Sequence, residues 1–212
     1  MIVALDFDDA SVVRTKYHLI KKLRERYPKL KVSLFFVPYD IEAEMMQLIK
    51  IYREQRLVEL KGLLDEGCIE LIPHGLTHRA GEFAKADRFA MKLSLKAIED
   101  VMSRDSLPFV KGFKAPFWLY NQDVVDVLDE NGWWIATNRD EPKALKTKRY
   151  YEYNHSIHEP FWISGKDEKV WKLHGHMLGS ENDFEDNFLN LFKIPLNSEF
   201  RFASELLNEK SH

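Results

Sequence analysis

The sequence predicts an α/β chain folded as a distorted (β/α) barrel of about seven parallel strands. One domain spans residues 1–212. Three observations lead there. Apolar runs of strand length alternate with longer amphipathic stretches along the chain, which is the pattern of right-handed βαβ units. The 212 residues fall short of the ~250 that an eight-unit barrel uses. Polar and ionisable residues follow five of the strand candidates, at the end where parallel α/β folds collect their functional groups. A flat doubly wound sheet is the competing architecture, and the pattern does not separate the two.

The elements follow in order. Ile2 to Phe7 is a short apolar run that ends in carboxylates. Ser11 to Tyr27 carries Val13, Tyr17, Ile20 and Leu23 at helical spacing, and Pro28 stops it. Val32 to Val37 is a second buried strand candidate. Residues 41 to 66 predict a helix in two pieces, with Gly67 as its C-terminal stop. Cys68 to Ile72 is a third strand and leads directly into Pro73 and His74. A helix is expected over 83–103 and a strand over Phe109 to Phe113. A second helix, capped by Asn121, runs to Glu130, and Trp133 to Thr137 is a further strand. Residues 140–168 are less regular, with a strand expected near Phe161 to Ile163. Val170 to Leu173 is the last clear strand and Phe184 to Phe192 a closing helix.

Composition narrows the function classes. The formal net charge of -3 and the lack of a basic run give no electrostatic case for nucleic acid. Cys68 is the only cysteine, so no intrachain disulfide or thiolate cluster can form, and any metal must be held by His, Asp or Glu. No apolar run approaches the ~20 residues of a membrane-spanning helix. The opening MIVALDFDDA has neither the basic start nor the apolar stretch of a secretory signal, so a soluble, cytoplasmic protein is expected.

The strand ends carry the chemistry. The first ends in Asp6, Phe7, Asp8 and Asp9, the third in His74 to His78, the fourth in Lys114 to Trp118, the fifth runs out toward Asn138 and Asp140, and the last ends in His174 and His176. Singly, each has a plain reading. Asp8 and Asp9 suit a helix N-terminus, His74 and His78 a solvated loop, Lys114 a surface cation. Together they offer more. Two histidines four apart plus one carboxylate make a three-ligand site with positions open for water and substrate. A second carboxylate beside it can act as general base, and a further histidine across the mouth can protonate a departing amine. That set suits amide hydrolysis.

These residues resemble the polysaccharide deacetylase family, the NodB-homology domains of carbohydrate esterase family four. The family's Thr-Phe-Asp-Asp-Gly motif is similar to Phe7-Asp8-Asp9, and its His-x-x-x-His motif matches His74 to His78. Its Arg-x-Pro motif appears as Lys114-Ala115-Pro116, and its closing Leu-His motif resembles Leu173-His174. The resemblance implies a roughly seven-stranded barrel that removes an N-acetyl group from an N-acetylated sugar or glycan. It implies one divalent cation, zinc first and cobalt or nickel next, on Asp9, His74 and His78. Asp8 would be the base, Lys114 its partner and His174 the acid. Pro116, Phe117 and Trp118 would meet substrate, with a backbone N–H near Phe117 at the oxyanion.

Three departures stand out. Ala10 replaces the usual Gly, and Lys114 replaces the usual Arg, keeping the charge but losing the planar fork. The family's Asp-rich motif has no clear counterpart, Asp140 near Trp133 and Trp134 being the nearest. His176 competes with His174 for the acid role, since residues two apart on a strand share a face. Asp6 shares that face with Asp8 and reads as a supporting residue and not a ligand. Among the aromatics that could line a sugar site, Trp118 follows the Pro116 motif directly. Two other functions fit the same parts: hydrolysis of another amide, an imide or an O-acetyl ester, and a non-catalytic carbohydrate-binding relative. Oligomeric state is not legible.

Overall fold

The computed structural model describes residues 1–40, 49–138, 146–158, 169–178 and 183–209. Asp140 and the strand expected near Phe161 lie outside the described residues. Eight strands run parallel: β1 (Ile2–Ala10), β2 (Val32–Phe36), β3 (Ile69–Pro73), β4 (Gly112–Phe113), β5 (Trp134–Ala136), β6 (Arg149–Tyr151), β7 (His155–Ser156) and β8 (Val170–His176). One sheet is ordered β3-β2-β1-β8-β7 and the other β10-β6-β5-β4, where β10 (Asn208–Glu209) is antiparallel to β6. A parallel bridge from His74 to Lys114 joins β3 to β4. The strands therefore follow chain order around an incomplete barrel. Among the described residues no strand pairing links β6 to β7.

Side-chain alternation along the strands makes two cores. Val3, Leu5 and Phe7 of β1, with Val32, Leu34, Leu71 and Leu173, face the helices. These are α1 (Tyr17–Arg26), α2 (Ile49–Asp65), α3 (Arg88–Arg104) and α4 (Gln122–Glu130), followed by the short α5 (Phe188–Leu191). The opposite face is the barrel interior, where Phe35, Ile72, Trp134, Ala136 and Tyr151 pack together with Ala203. Gly112 is required there, because a Cβ would sit 2.3 Å from the Trp134 ring. The lower end is closed by β9 (Glu199–Phe200), which pairs with the start of β1, and by the turn Ala203–Glu205. Buried Glu70 accepts hydrogen bonds from Ser33 Oγ and from the backbone and hydroxyl of Ser204.

Most expected elements are present with shifted ends. Asn121 caps α4 by accepting from Val124 N at 3.1 Å, and Gly67 ends the turn after α2 at φ +65°. The helix expected from Ser11 begins at Tyr17, because β1 continues to Ala10 and the next residues form a turn tied by Thr15 Oγ1 to the Ser11 carbonyl at 2.7 Å. The helix expected from 83 begins at Arg88, where Asp87 caps it through Ala90 N. The closing helix contracts to Phe188–Leu191, and the strand over Phe109 to Phe113 to Gly112–Phe113. Asp8 and Asp9 do not begin a helix; they lie within β1.

Candidate active site

Strand β1 would ordinarily send Asp8 inward and Asp9 outward. Its register against β2 slips between Phe7 and Ala10, and Asp9 takes φ +60°. This irregularity turns both carboxylates to the same mouth. His78, Phe117 and Trp118 also hold positive φ, so four of the five such non-glycine residues among those described stand at this one place. Such strain is costly for residues with a Cβ, persists only where packing dictates it, and gathers at functional sites.

Asp9, His74 and His78 offer one ligand atom each within 4.8 Å of one another. His78 Nε2 lies 2.8 Å and His74 Nε2 3.9 Å from the same oxygen of Asp9. The Nδ1 of His74 is 3.1 Å from the Lys114 carbonyl, which can only accept. Nδ1 therefore carries the proton, and the lone pair on Nε2 faces the carboxylates of Asp9 and of Asp8, the latter at 3.7 Å. Burial drives the His74 pKa down to about 4, so the ring is neutral near pH 7. Burial opposes the charge on Asp9, yet hydrogen bonds from His176 and His78 hold its pKa well below the carboxylate range. An anionic carboxylate with two imidazoles is a donor set for a borderline-soft divalent cation.

A second set, Asp8, His174 and His176, meets the same distance limit. Both oxygens of Asp8 already lie 2.6 Å from the Lys114 ammonium, whose charge opposes a cation there. Burial pushes the Asp8 pKa up, but Lys114, His174, His74 and His176 together bring it down to about 2. Lys114 is itself buried, its ammonium 4.7 Å from the centre of the Phe35 ring and 3.9 Å from that of Trp118. The plain reading of Lys114 as a surface cation therefore fails: it forms an interior ion pair with Asp8, flanked by aromatic faces.

The two histidines of β8 separate by their partners. His174 is buried, with Nδ1 2.6 Å from Asp6 and Nε2 3.7 Å from Asp8. His176 is half-buried and places Nδ1 3.2 Å from the outer oxygen of Asp9. Burial lowers the His176 pKa, but the Asp9 hydrogen bond more than offsets this and the net shift is upward. Tyr153 stacks on His174 at 4.5 Å and Trp118 meets it edge-on at 6.4 Å.

Pro116 lies buried beneath the mouth, against Gly75, where a Cβ would approach the proline ring to 2.7 Å. Phe117 is 56% exposed, with its ring 5.2 Å from His78. It borders a cavity of about 350 Å³ lined also by Arg14, Asp40, Thr77, His78 and Arg79. Trp133 and Trp134 are core residues. Three supporting residues have no local sequence signal that assigns their partners. Asp6 bonds His174, Tyr151 donates its hydroxyl to Asp6 at 2.7 Å, and Glu82 accepts from Leu76 N and Thr77 N to pin the loop between His74 and His78.

No family model matches the sequence, and no curated protein matches it. Solved structures do. The Xyl-CE4 domain of a xylanase from the hindgut metagenome of Trinervitermes trinervoides superposes with a TM-score of 0.60 at 15% identity, covering 97% of this chain and 88% of that one. A family 4 acetyl xylan esterase from Clostridium thermocellum, solved with a cobalt ion, gives 0.61 at 15% over 97% and 90%. The 4-alpha-glucanotransferase of Thermococcus litoralis gives 0.65 at 13%, with 97% of this chain matching 40% of that one. One fold thus carries different chemistries, and activity has to be argued from the site. The fold of this chain is that of the family-four carbohydrate esterases and deacetylases, the NodB-homology fold.

Proposed function

We propose that this chain is a metal-dependent deacetylase that hydrolyses the N-acetyl group of an N-acetylated sugar or glycan. The observation that carries the reading is the convergence of a cation donor set, Asp9, His74 and His78, with a paired carboxylate and a buried imidazole at one mouth. Asp9, His74 and His78 would hold one divalent cation, zinc being the best match to two imidazoles and a carboxylate. When bound, such a cation polarises the acetyl carbonyl and acidifies water.

The protein's own residues would do the rest. Asp8, kept ionised by Lys114, accepts the proton of the attacking water. Lys114 holds that carboxylate in place through contact with both oxygens. His174 Nε2, on the far side of Asp8, donates a proton to the departing nitrogen, giving a free amine and acetate. His176 steadies Asp9. Phe117 and Trp118 offer ring faces to the sugar.

An amine must be protonated to leave, whereas an alcohol leaves more readily; a buried histidine reserved for that proton therefore favours the amide over an O-acetyl ester. The ion pair of Lys114 with Asp8 weighs against a non-catalytic relative, since the Lys in place of Arg still engages both carboxylate oxygens. Metal analysis of the purified chain tests the reading, alongside the double variant His74→Ala, His78→Ala. Near one equivalent of divalent metal in the parent, lost in the double variant, is expected. Acetate should be released from an N-acetylated amino sugar by the metal-loaded parent, and Asp8→Asn should keep the metal while losing at least about 10²-fold in kcat. A chain that takes up no metal on addition would sink the proposal.

A further inference from the structure

We propose that Asp6 and Tyr151 are positioning residues that fix the orientation and tautomer of His174, an assignment that rests on the deacetylase reading for its catalytic meaning. Asp6 lies on the interior face of β1, opposite His174 of β8 in the strand register, and is 1% exposed. A carboxylate so deep in a barrel is costly unless each oxygen finds a donor. Both do. One oxygen meets His174 Nδ1 at 2.6 Å, and the other accepts the Tyr151 hydroxyl at 2.7 Å.

Tyr151 reaches Asp6 from β6, in the other sheet, so the network crosses the barrel interior. Burial, then the neighbouring charge of Asp6, pushes the Tyr151 pKa well above its ordinary value, so the phenol remains a donor. With one oxygen of Asp6 committed to that donor, the other is aimed at His174. An apolar pair could fill the same space without desolvating a carboxylate. What the polar pair supplies is a proton held on Nδ1, which leaves Nε2 facing Asp8 and the leaving atom. Nε2 is then the ring nitrogen placed to give a proton to the leaving atom, and no proton has to pass to Asp6 itself.

The experiment compares the full metal-loaded chain with Asp6→Asn and Tyr151→Phe on two acetyl substrates. One is an N-acetylated amino sugar, whose nitrogen must be protonated to leave. The other is 4-nitrophenyl acetate, whose phenolate leaves without a proton. Asp6→Asn should lower kcat on the amide roughly 10²-fold, with KM changed by less than about twofold and a much smaller loss on the ester. Tyr151→Phe should show the same substrate bias with a loss of about three- to tenfold. Equal losses on both substrates, or a change confined to KM, would overturn the assignment. If Asp6→Asn does not fold, Tyr151→Phe carries the comparison.

Nitrogen-15 spectra of the His174 ring read the tautomer without turnover. An Nδ1–H signal in the parent that shifts in the folded variants supports the assignment even where neither substrate is cleaved, a result that counts against the deacetylase reading alone. A His174 ring unaffected by either variant overturns the assignment.

Discussion

At the scale of single residues, the site is governed by which charges are buried beside which. Lys114 is the cation in contact with Asp8, both are buried, and breaking such a pair leaves an uncompensated charge. Lys114→Met should therefore destabilise the chain by about 3–5 kcal/mol, read as a lowered urea midpoint. The companion change Asp8→Asn, Lys114→Met should recover much of that loss, because it removes both charges. Legibility divides sharply at this scale. Asp8, Asp9, His74 and His78 could be read from the sequence because their spacing is local. Asp6 with Tyr151 could not, since the two are 145 positions apart and meet only across the barrel. The choice between His174 and His176 was equally closed, because it depends on which carboxylate each imidazole reaches.

Among the elements, the irregularity in β1 and the loop after β3 build the mouth. Strand alternation predicts opposite directions for Asp8 and Asp9, and the register slip at Asp9 overrides it. The alternation itself was readable; the slip was not, because nothing in Phe7 to Ala10 marks it. The loop from His74 to His78 is held by Glu82, whose carboxylate accepts from Leu76 N and Thr77 N. Burial raises the Glu82 pKa, with those backbone bonds working against the rise. With Asp9, His74 and His78 as the proposed cation donors, Glu82→Ala should loosen His78 and weaken metal binding by roughly 10- to 100-fold. Competition with a chelator of known affinity measures this directly, and an unchanged affinity would show that the loop needs no such pin.

For the whole molecule, parallel order and one populated strand end were legible, while the short strands β6, β7, β9 and β10 were not. Two or three residues carry no periodicity, and neighbours in space alone make them strands. Global stability should follow pH in a direction the site dictates. His74 is neutral down to about pH 4 in the folded chain, against 6.5 for a free imidazole. Its contribution is complete above pH 6.5 and drains away as pH falls toward 4. Asp8, lowered from 3.8 to about 2, extends the loss to more acid conditions. The metal-free chain should thus show a Tm that declines steadily below about pH 6.5, which a thermal melt series measures.

Glu70 works in the opposite sense. Burial raises its pKa, so ionisation above 4.5 favours the unfolded chain. Glu70→Gln keeps groups able to bond Ser33 and Ser204 and should raise Tm at pH 7 by roughly 2–4 °C, with little change near pH 4.

The closure of the barrel's lower end by β9 and the Ala203–Glu205 turn has a consequence for engineering. Stability can be tuned at that pole through Glu70, Ser33 and Ser204, whose link toward the mouth is the charge of Glu70 felt by Tyr151. Evolution and design alike have two nearly independent dials on one scaffold: robustness can be gained at the floor while substrate choice drifts at the rim.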